Sequence, residues 1–65
     1  MTESQITIAV DAMGGEGSPH KILSGTEIFL KNNSNVKIVF FGDENKIKKI
    51  INNSKLQDYD CRIIN

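Results

Sequence analysis

The sequence predicts an α/β fold built on a parallel sheet, and two observations support this prediction. Segments with strand character alternate with segments of helical spacing in the order β-α-β-α-β, and the turns between them are short. Strands and helices that alternate in this way form parallel sheets through right-handed crossovers. Because the chain has 65 residues, we expect one unit, residues 1–65, forming the N-terminal part of one α/β domain with no second domain.

The first strand and the first helix are joined by a glycine-rich turn. Residues 5–11 alternate between apolar and polar side chains, which predicts a strand. Residues 12–17 form the turn. Ser18 followed by Pro19 predicts an N-cap and the first helical residue, because proline is pre-set for helical φ and has no N–H to leave unpaired. The helix should end near Asn32, and its apolar stripe comprises Ile22, Leu23, Thr26, Phe29 and Leu30.

The second half of the chain repeats the pattern. Residues 36–41 predict a strand, and its apolar character on both faces from Ile38 onward is typical of a strand covered on two sides. Asp43 is a candidate N-cap for a second helix whose buried stripe comprises Ile47, Ile50 and Ile51, with Lys46, Lys48 and Lys49 outward. Residues 52–60 read as a polar connector, and residues 61–64 as the start of a third strand.

The composition gives no sign of a nucleic-acid partner. Eight Lys and Arg residues balance eight Asp and Glu residues, so the formal net charge is zero. The one Cys excludes an internal disulfide, and the first five residues lack the Lys or Arg of a secretory signal, so we expect a cytoplasmic setting. The longest apolar run is four residues, far short of the roughly 20 that cross a bilayer. No metal site or cofactor motif is evident.

The candidate site is the segment between the first strand and the first helix, comprising Asp11, Gly14, Gly15, Glu16, Gly17 and Ser18. Ligands of open α/β sheets bind at this carboxyl edge. Consecutive glycines allow backbone N–H groups to converge, and the helix dipole adds partial positive charge, so a phosphate-sized anion would fit. The spacing is neither the dinucleotide pattern nor a P-loop. A tight turn that needs positive φ explains the glycines equally well, and the spacing alone leaves both hypotheses open.

A resemblance favours the anion hypothesis. Residues 8–15, Ile-Ala-Val-Asp-Ala-Met-Gly-Gly, with Pro19 shortly after, and residues 39–44, Val-Phe-Phe-Gly-Asp-Glu, before a Lys/Ile-rich helix, resemble the N-terminus of the bacterial phosphate acyltransferase family. The resemblance implies an α/β/α sandwich like that of isocitrate/isopropylmalate dehydrogenases, of which this chain is a truncated start. It also implies a homodimer peripherally associated with the inner face of the membrane. The implied substrates are long-chain acyl-carrier protein and inorganic phosphate, which give acyl phosphate for phospholipid synthesis.

The resemblance leaves the individual roles incomplete. The family usually has Asp where this chain has Glu16, one methylene longer. We expect Asp11 to brace N–H groups of the loop or to orient a basic residue, because direct contact with phosphate would be repulsive. His20 is expected at the surface and Cys61 as a small buried apolar residue. No catalytic residue is identified. The alternatives are a non-catalytic phosphate-binding α/β module and an inactive truncated remnant.

Overall fold

The computed structural model describes residues 5–33 and 35–65, and these residues form the predicted β-α-β-α-β order. The strands are β1 (Ile6–Asp11), β2 (Val36–Phe41) and β3 (Cys61–Ile64), and the helices are α1 (His20–Asn32) and α2 (Glu44–Asn52). A short 3₁₀ helix, Lys55–Asp58, precedes β3. The α/β fold class is therefore confirmed, with strand boundaries within one residue of those predicted.

The sheet has the order β1-β2-β3, and both strand pairs are parallel. Because both crossovers advance in the same direction, right-handed connections place both helices on one face of the sheet. Val36, Ile38 and Phe40 point to that face and are buried. On the opposite face Phe41 is 41% exposed and Ile64 is 50% exposed. The described residues therefore build two layers, and the two-sided cover predicted for β2 is present on one side only.

The core lies between the sheet and the two helices. Its fully buried large side chains come from every layer and comprise Leu23, Leu30, Ile38, Phe40, Ile47 and Leu56. Burying each such side chain contributes roughly 1.5–3 kcal/mol. Leu56 belongs to the segment predicted only as a polar connector. The Ser54 hydroxyl caps the 3₁₀ helix by accepting a hydrogen bond from Leu56 N at 3.2 Å, and this short helix places Leu56 in the core.

Two details of the prediction for α1 are wrong. The helix begins at His20 with Pro19 as its N-cap, and Ser18 does not cap it, because the Ser18 hydroxyl donates a hydrogen bond to the Gly14 carbonyl instead. The buried face consists of Leu23 and Leu30, whereas Phe29 is 39% exposed. Phe29 lies beside β1, an edge strand in the described sheet, where nothing among the described residues covers it.

The prediction for α2 is confirmed. The Asp43 carboxylate accepts a hydrogen bond from Lys46 N at 3.2 Å, and its negative charge complements the positive end of the helix dipole. Ile47 is fully buried, and Ile50 and Ile51 are half-buried against the core. Neither helix in the described ranges has the length and apolar character needed to cross a bilayer.

Candidate functional site

The candidate site lies at the carboxyl edge of the sheet. Pairing continues one residue beyond the strands, since Ala12 N donates to Phe41 O at 3.0 Å and Gly42 N donates to Ile64 O at 3.1 Å. Ala12 is fully buried, so the chain leaves the sheet only after it. Residues 13–18, here called the glycine loop, then connect β1 to α1 across the surface.

Asp11 holds the start of the glycine loop. Its Oδ1 accepts a hydrogen bond from Met13 N at 3.1 Å. Its Oδ2 would lie 3.2 Å from a Cβ placed on Gly14, closer than ordinary van der Waals contact. A side chain at position 14 would therefore have to displace the Asp11 carboxylate by a few tenths of an ångström. The Asp11 carboxylate thus braces one loop N–H group, in agreement with the first of the two roles predicted for it.

Gly15 and Gly17 are constrained in a different way. Their φ angles are +84° and +81°, in the left-handed region that residues with a Cβ adopt at a cost. A Cβ on Gly15 would have no heavy atom within 4 Å, so the constraint there is the backbone angle and not space. The positive-φ turn predicted as one explanation of the glycines is thus present.

The glycine loop also presents unpaired donors. The backbone N–H groups of residues 14–18 donate no hydrogen bond to any atom within residues 5–33 and 35–65. Residues 13–17 are exposed, and Ser18 is half-buried. The loop ends at the N-terminus of α1, where the helix dipole is positive. Exposed N–H groups beside a positive helix end suit an anion, so the two explanations of the glycines are compatible.

Lys21 is a further candidate for the site that its sequence position alone did not indicate. Its Cβ and Cδ both lie 3.5 Å from the position that a Cβ on Gly17 would occupy. Lys21 N also donates to Gly17 O at 2.9 Å. The sequence indicates this contact only by the spacing of the two residues, because Lys21 lies in the first turn of α1, four residues after Gly17. The contact places the stem of a cationic side chain against the loop.

Glu16 and His20 are exposed residues on either side of Ser18. Glu16 makes no hydrogen bond or ion pair with the described part of the chain. His20 begins α1 and lines a separate groove between the two helices. Its surface placement agrees with the prediction, whereas the geometry assigns no role to the Glu16 carboxylate.

Met13 ties the glycine loop to the turn between β2 and α2. A Cβ on Gly42 would lie 2.5 Å from Met13 Cγ and 3.0 Å from Met13 Sδ. The φ angle of Gly42, +154°, is also one that residues with a Cβ rarely adopt. Met13 therefore packs in space that exists because residue 42 is glycine, and this contact joins two loops at the carboxyl edge.

Cys61 does not have the properties of a nucleophile. It is half-buried in β3, and burial together with the nearby charge of Asp60 raises the pKa of its thiol, which disfavours the reactive thiolate. Within residues 5–33 and 35–65, no group of three or more His, Cys, Asp or Glu side chains is arranged to hold a metal ion.

Comparison with known protein families identifies the class of protein. The family model described as "Fatty acid synthesis protein" matches residues 6–65, almost the whole chain. The chain therefore belongs to the fatty acid synthesis protein family. No solved structure matches it.

Similar curated proteins make the assignment more specific. A phosphate acyltransferase of Caldicellulosiruptor bescii is 40% identical over 60 residues, covering 85% of this chain and 18% of that protein. The phosphate acyltransferase of Pelagibacter ubique is 51% identical over 47 residues, or 72% of this chain and 14% of that protein. The enzyme of the same name from Bacillus pumilus is 46% identical over 48 residues, or 74% and 14%. The relatives are enzymes, and the chain spans less than a fifth of their length.

Proposed function

We propose that this chain is the N-terminal part of an enzyme that transfers a fatty acyl group from acyl-carrier protein to inorganic phosphate, with the glycine loop binding the phosphate. The observation that carries the proposal is the set of unpaired backbone N–H groups of residues 14–18 at the carboxyl edge of the sheet. The name phosphate acyltransferase, shared by relatives that are 40–51% identical over the matched segments, supports the choice of reaction.

The reaction needs positioning more than it needs a covalent catalyst. A phosphate oxygen attacks the thioester carbonyl carbon, a C–O bond forms, the C–S bond breaks, and the carrier thiolate leaves and takes up a proton. The products are acyl phosphate and the free carrier thiol. Because phosphate is itself the nucleophile, the protein must hold a phosphate oxygen against one face of the thioester carbonyl and offset the charge of the phosphate. Fixed N–H donors perform this task without reorganising during the reaction.

Three groups of this chain divide the work in the proposal. Residues 14–18 supply N–H donors to the phosphate oxygens. Asp11 does not touch the phosphate. Its carboxylate accepts a hydrogen bond from Met13 N and so holds the loop, and its negative charge is directed at this N–H group. Lys21 supplies the cation that offsets the charge of the phosphate, since its stem already lies against Gly17.

The proposal is tested by steady-state kinetics on a chimera. The part of this chain that aligns with the Caldicellulosiruptor bescii enzyme, 85% of its residues, replaces the matching segment of that enzyme, and phosphate and acyl-carrier protein are varied separately. Val is a poor residue at the positive φ of position 15, so Gly15→Val should turn the loop N–H groups away from the phosphate. Loss of one or two charge-assisted hydrogen bonds, each about 1.5–3 kcal/mol, should raise the KM for phosphate about tenfold or more.

Gly15→Asn is the matched control, because Asn tolerates positive φ and no heavy atom lies within 4 Å of the new Cβ. It should retain most of the affinity for phosphate. The KM for acyl-carrier protein should stay nearly constant in both variants. An unchanged phosphate dependence in a folded Gly15→Val chimera would show that the loop does not bind phosphate. Equal effects on both substrates would show a general structural disturbance instead.

A further inference from the structure

A second site candidate lies on the outer surface of the helix layer, between the start of α1 and the exposed side of α2. This groove, here called the interhelical groove, has a volume of about 530 Å³. Small-molecule sites occupy roughly 300–1,000 Å³, so the groove is large enough for an organic ligand. Nothing in the family assignment concerns this surface, and the glycine loop does not line it.

The walls of the interhelical groove are cationic. Lys46 and Lys49 lie on the same face of α2, since residues three apart on a helix are neighbours, and His20 faces them from α1. No acidic side chain of the described residues lines the groove. Within residues 5–33 and 35–65 these three side chains form no hydrogen bond or ion pair. The formal net charge of the chain is zero, yet this groove holds two lysines that form no ion pair with the described residues.

Of the other polar side chains that line the groove, one has a free hydrogen-bond donor and two already donate to the backbone. The Ser24 hydroxyl makes no hydrogen bond with the described residues, so it is free to donate to a ligand. The Asn53 side chain donates to Lys49 O at 2.8 Å, and the Ser54 hydroxyl donates to Ile51 O at 3.1 Å. Apolar surface comes from Ile50, half-buried on α2, and from the buried Pro19.

From this arrangement we propose that the interhelical groove binds an organic phosphomonoester. The phosphate would be held by Lys46, Lys49, His20 and the Ser24 hydroxyl, since all four carry N–H or O–H donors and no partner among the described residues competes for them. The organic group would lie on Ile50 and Pro19. The groove is larger than inorganic phosphate needs, which favours an ester over the free ion. This site is separate from the glycine loop and does not depend on the proposed reaction.

The test is a binding titration with phenyl phosphate, monitored by calorimetry on the chimera, with no acyl-carrier protein present. The Lys46→Gln/Lys49→Gln double variant removes both charges and should weaken binding about tenfold or more. Lys48→Gln is the matched control, because Lys48 lies on the same helix and is exposed but does not line the groove. Gly15→Val, which alters the glycine loop, should leave this binding unchanged.

The outcomes separate the possibilities. Binding of phenyl phosphate that the double variant loses and Lys48→Gln retains supports the site, and weaker binding of inorganic phosphate supports the role of the organic group. Vesicles of phosphatidylcholine with phosphatidic acid, bound through the same two lysines, would identify a lipid headgroup as the source of the phosphomonoester. Absence of binding, equal loss in all lysine variants, or loss only with Gly15→Val would overturn the proposal. None of these readouts requires turnover, so failure here leaves the acyltransferase proposal standing.

Discussion

Gly42 offers the most direct test of how the glycine loop is held in place. Its φ angle is +154°, and a Cβ at this position would lie 2.5 Å from Met13 Cγ, 3.0 Å from Met13 Sδ and 3.2 Å from Ile47 Cδ1. Real Cβ atoms essentially never come within 3.0 Å of another heavy atom, so Gly42→Ala must displace Met13. Because Met13 precedes Gly14, the displacement should reach the loop itself.

Gly42→Ala should lower the free energy of unfolding for two reasons. Overpacking of this kind costs about 1–3 kcal/mol, and a residue with a Cβ at a sparsely populated φ costs about 1–3 kcal/mol more. Met13 is 38% exposed and has a flexible side chain, so it relaxes partly, and we expect a total near 2–4 kcal/mol. The Met13→Ala variant removes the two closest contacts and leaves the backbone part together with the 3.2 Å approach to Ile47 Cδ1. The coupling between the two substitutions should therefore be about 1–3 kcal/mol.

The assay is thermal melting of the chimera with each variant and the double variant. The chimera has roughly 330 residues, since 60 residues are 18% of that enzyme, so 1 kcal/mol shifts its Tm by roughly 1.5 °C and Gly42→Ala should lower Tm by roughly 3–6 °C. Gly25→Ala is the matched control: Gly25 lies in α1 with no heavy atom within 4 Å of its Cβ, and it should be neutral or stabilising by up to about 1 kcal/mol. A neutral Gly42→Ala, or an equal cost in the Met13→Ala background, would refute the contact between the two loops.

Four further predictions follow from single observations. Lys21→Gln should raise the KM for phosphate about tenfold, because the charge beside Gly17 is lost, while Lys31→Gln at the other end of α1 should not. Glu16→Asp and Glu16→Gln vary reach and charge separately; the exposed and unpaired carboxylate predicts equal kcat/KM for all three, and a loss confined to Gln would give it a role. The raised pKa of the Cys61 thiol predicts slower alkylation by iodoacetamide at pH 8 than free cysteine shows, and an equal or faster rate would contradict it. The 65-residue chain alone should not form a stable monomer, since six large apolar side chains of residues 5–33 and 35–65 are exposed, the one Cys forms no internal disulfide and those residues hold no metal cluster; a monodisperse monomer with a cooperative melt would disprove this.

The order of the elements could be predicted because their local signals agree. β1 alternates strictly, β2 is a continuous apolar run, and Asp43 stands where a cap for α2 is needed. These patterns act over a few residues, so they are readable without the tertiary structure. The positive-φ turn after β1 was also predictable, since three glycines in four residues indicate it, whereas anion binding by the glycine loop stays a proposal.

The contacts between elements could not be predicted in this way. Serine is a residue type that favours the N-cap position, yet the Ser18 hydroxyl donates to the Gly14 carbonyl, because the loop turns back on itself before the helix begins. Phe29 has the spacing of a core residue, yet the core is set by the position of α1 over the sheet. The packing of Met13 against Gly42 joins residues 29 positions apart, and the interhelical groove joins His20 to Lys46 and Lys49. None of these contacts has a periodic signal.

The exposure of the glycine loop bears on how it would act in a complete enzyme. Residues 13–17 are open to water, and solvent competes for N–H groups, so their hydrogen bonds to phosphate contribute little net free energy in this setting. The same donors become much stronger where water is excluded and the local dielectric is low. β1 is an edge strand among the described residues, and the loop leaves from its end. Elements placed beside β1 would form a crevice over the loop, as at the switch point of other open α/β sheets. In the proposed function this chain supplies the N–H donors for phosphate, whereas the affinity and the rate depend on the residues that enclose them.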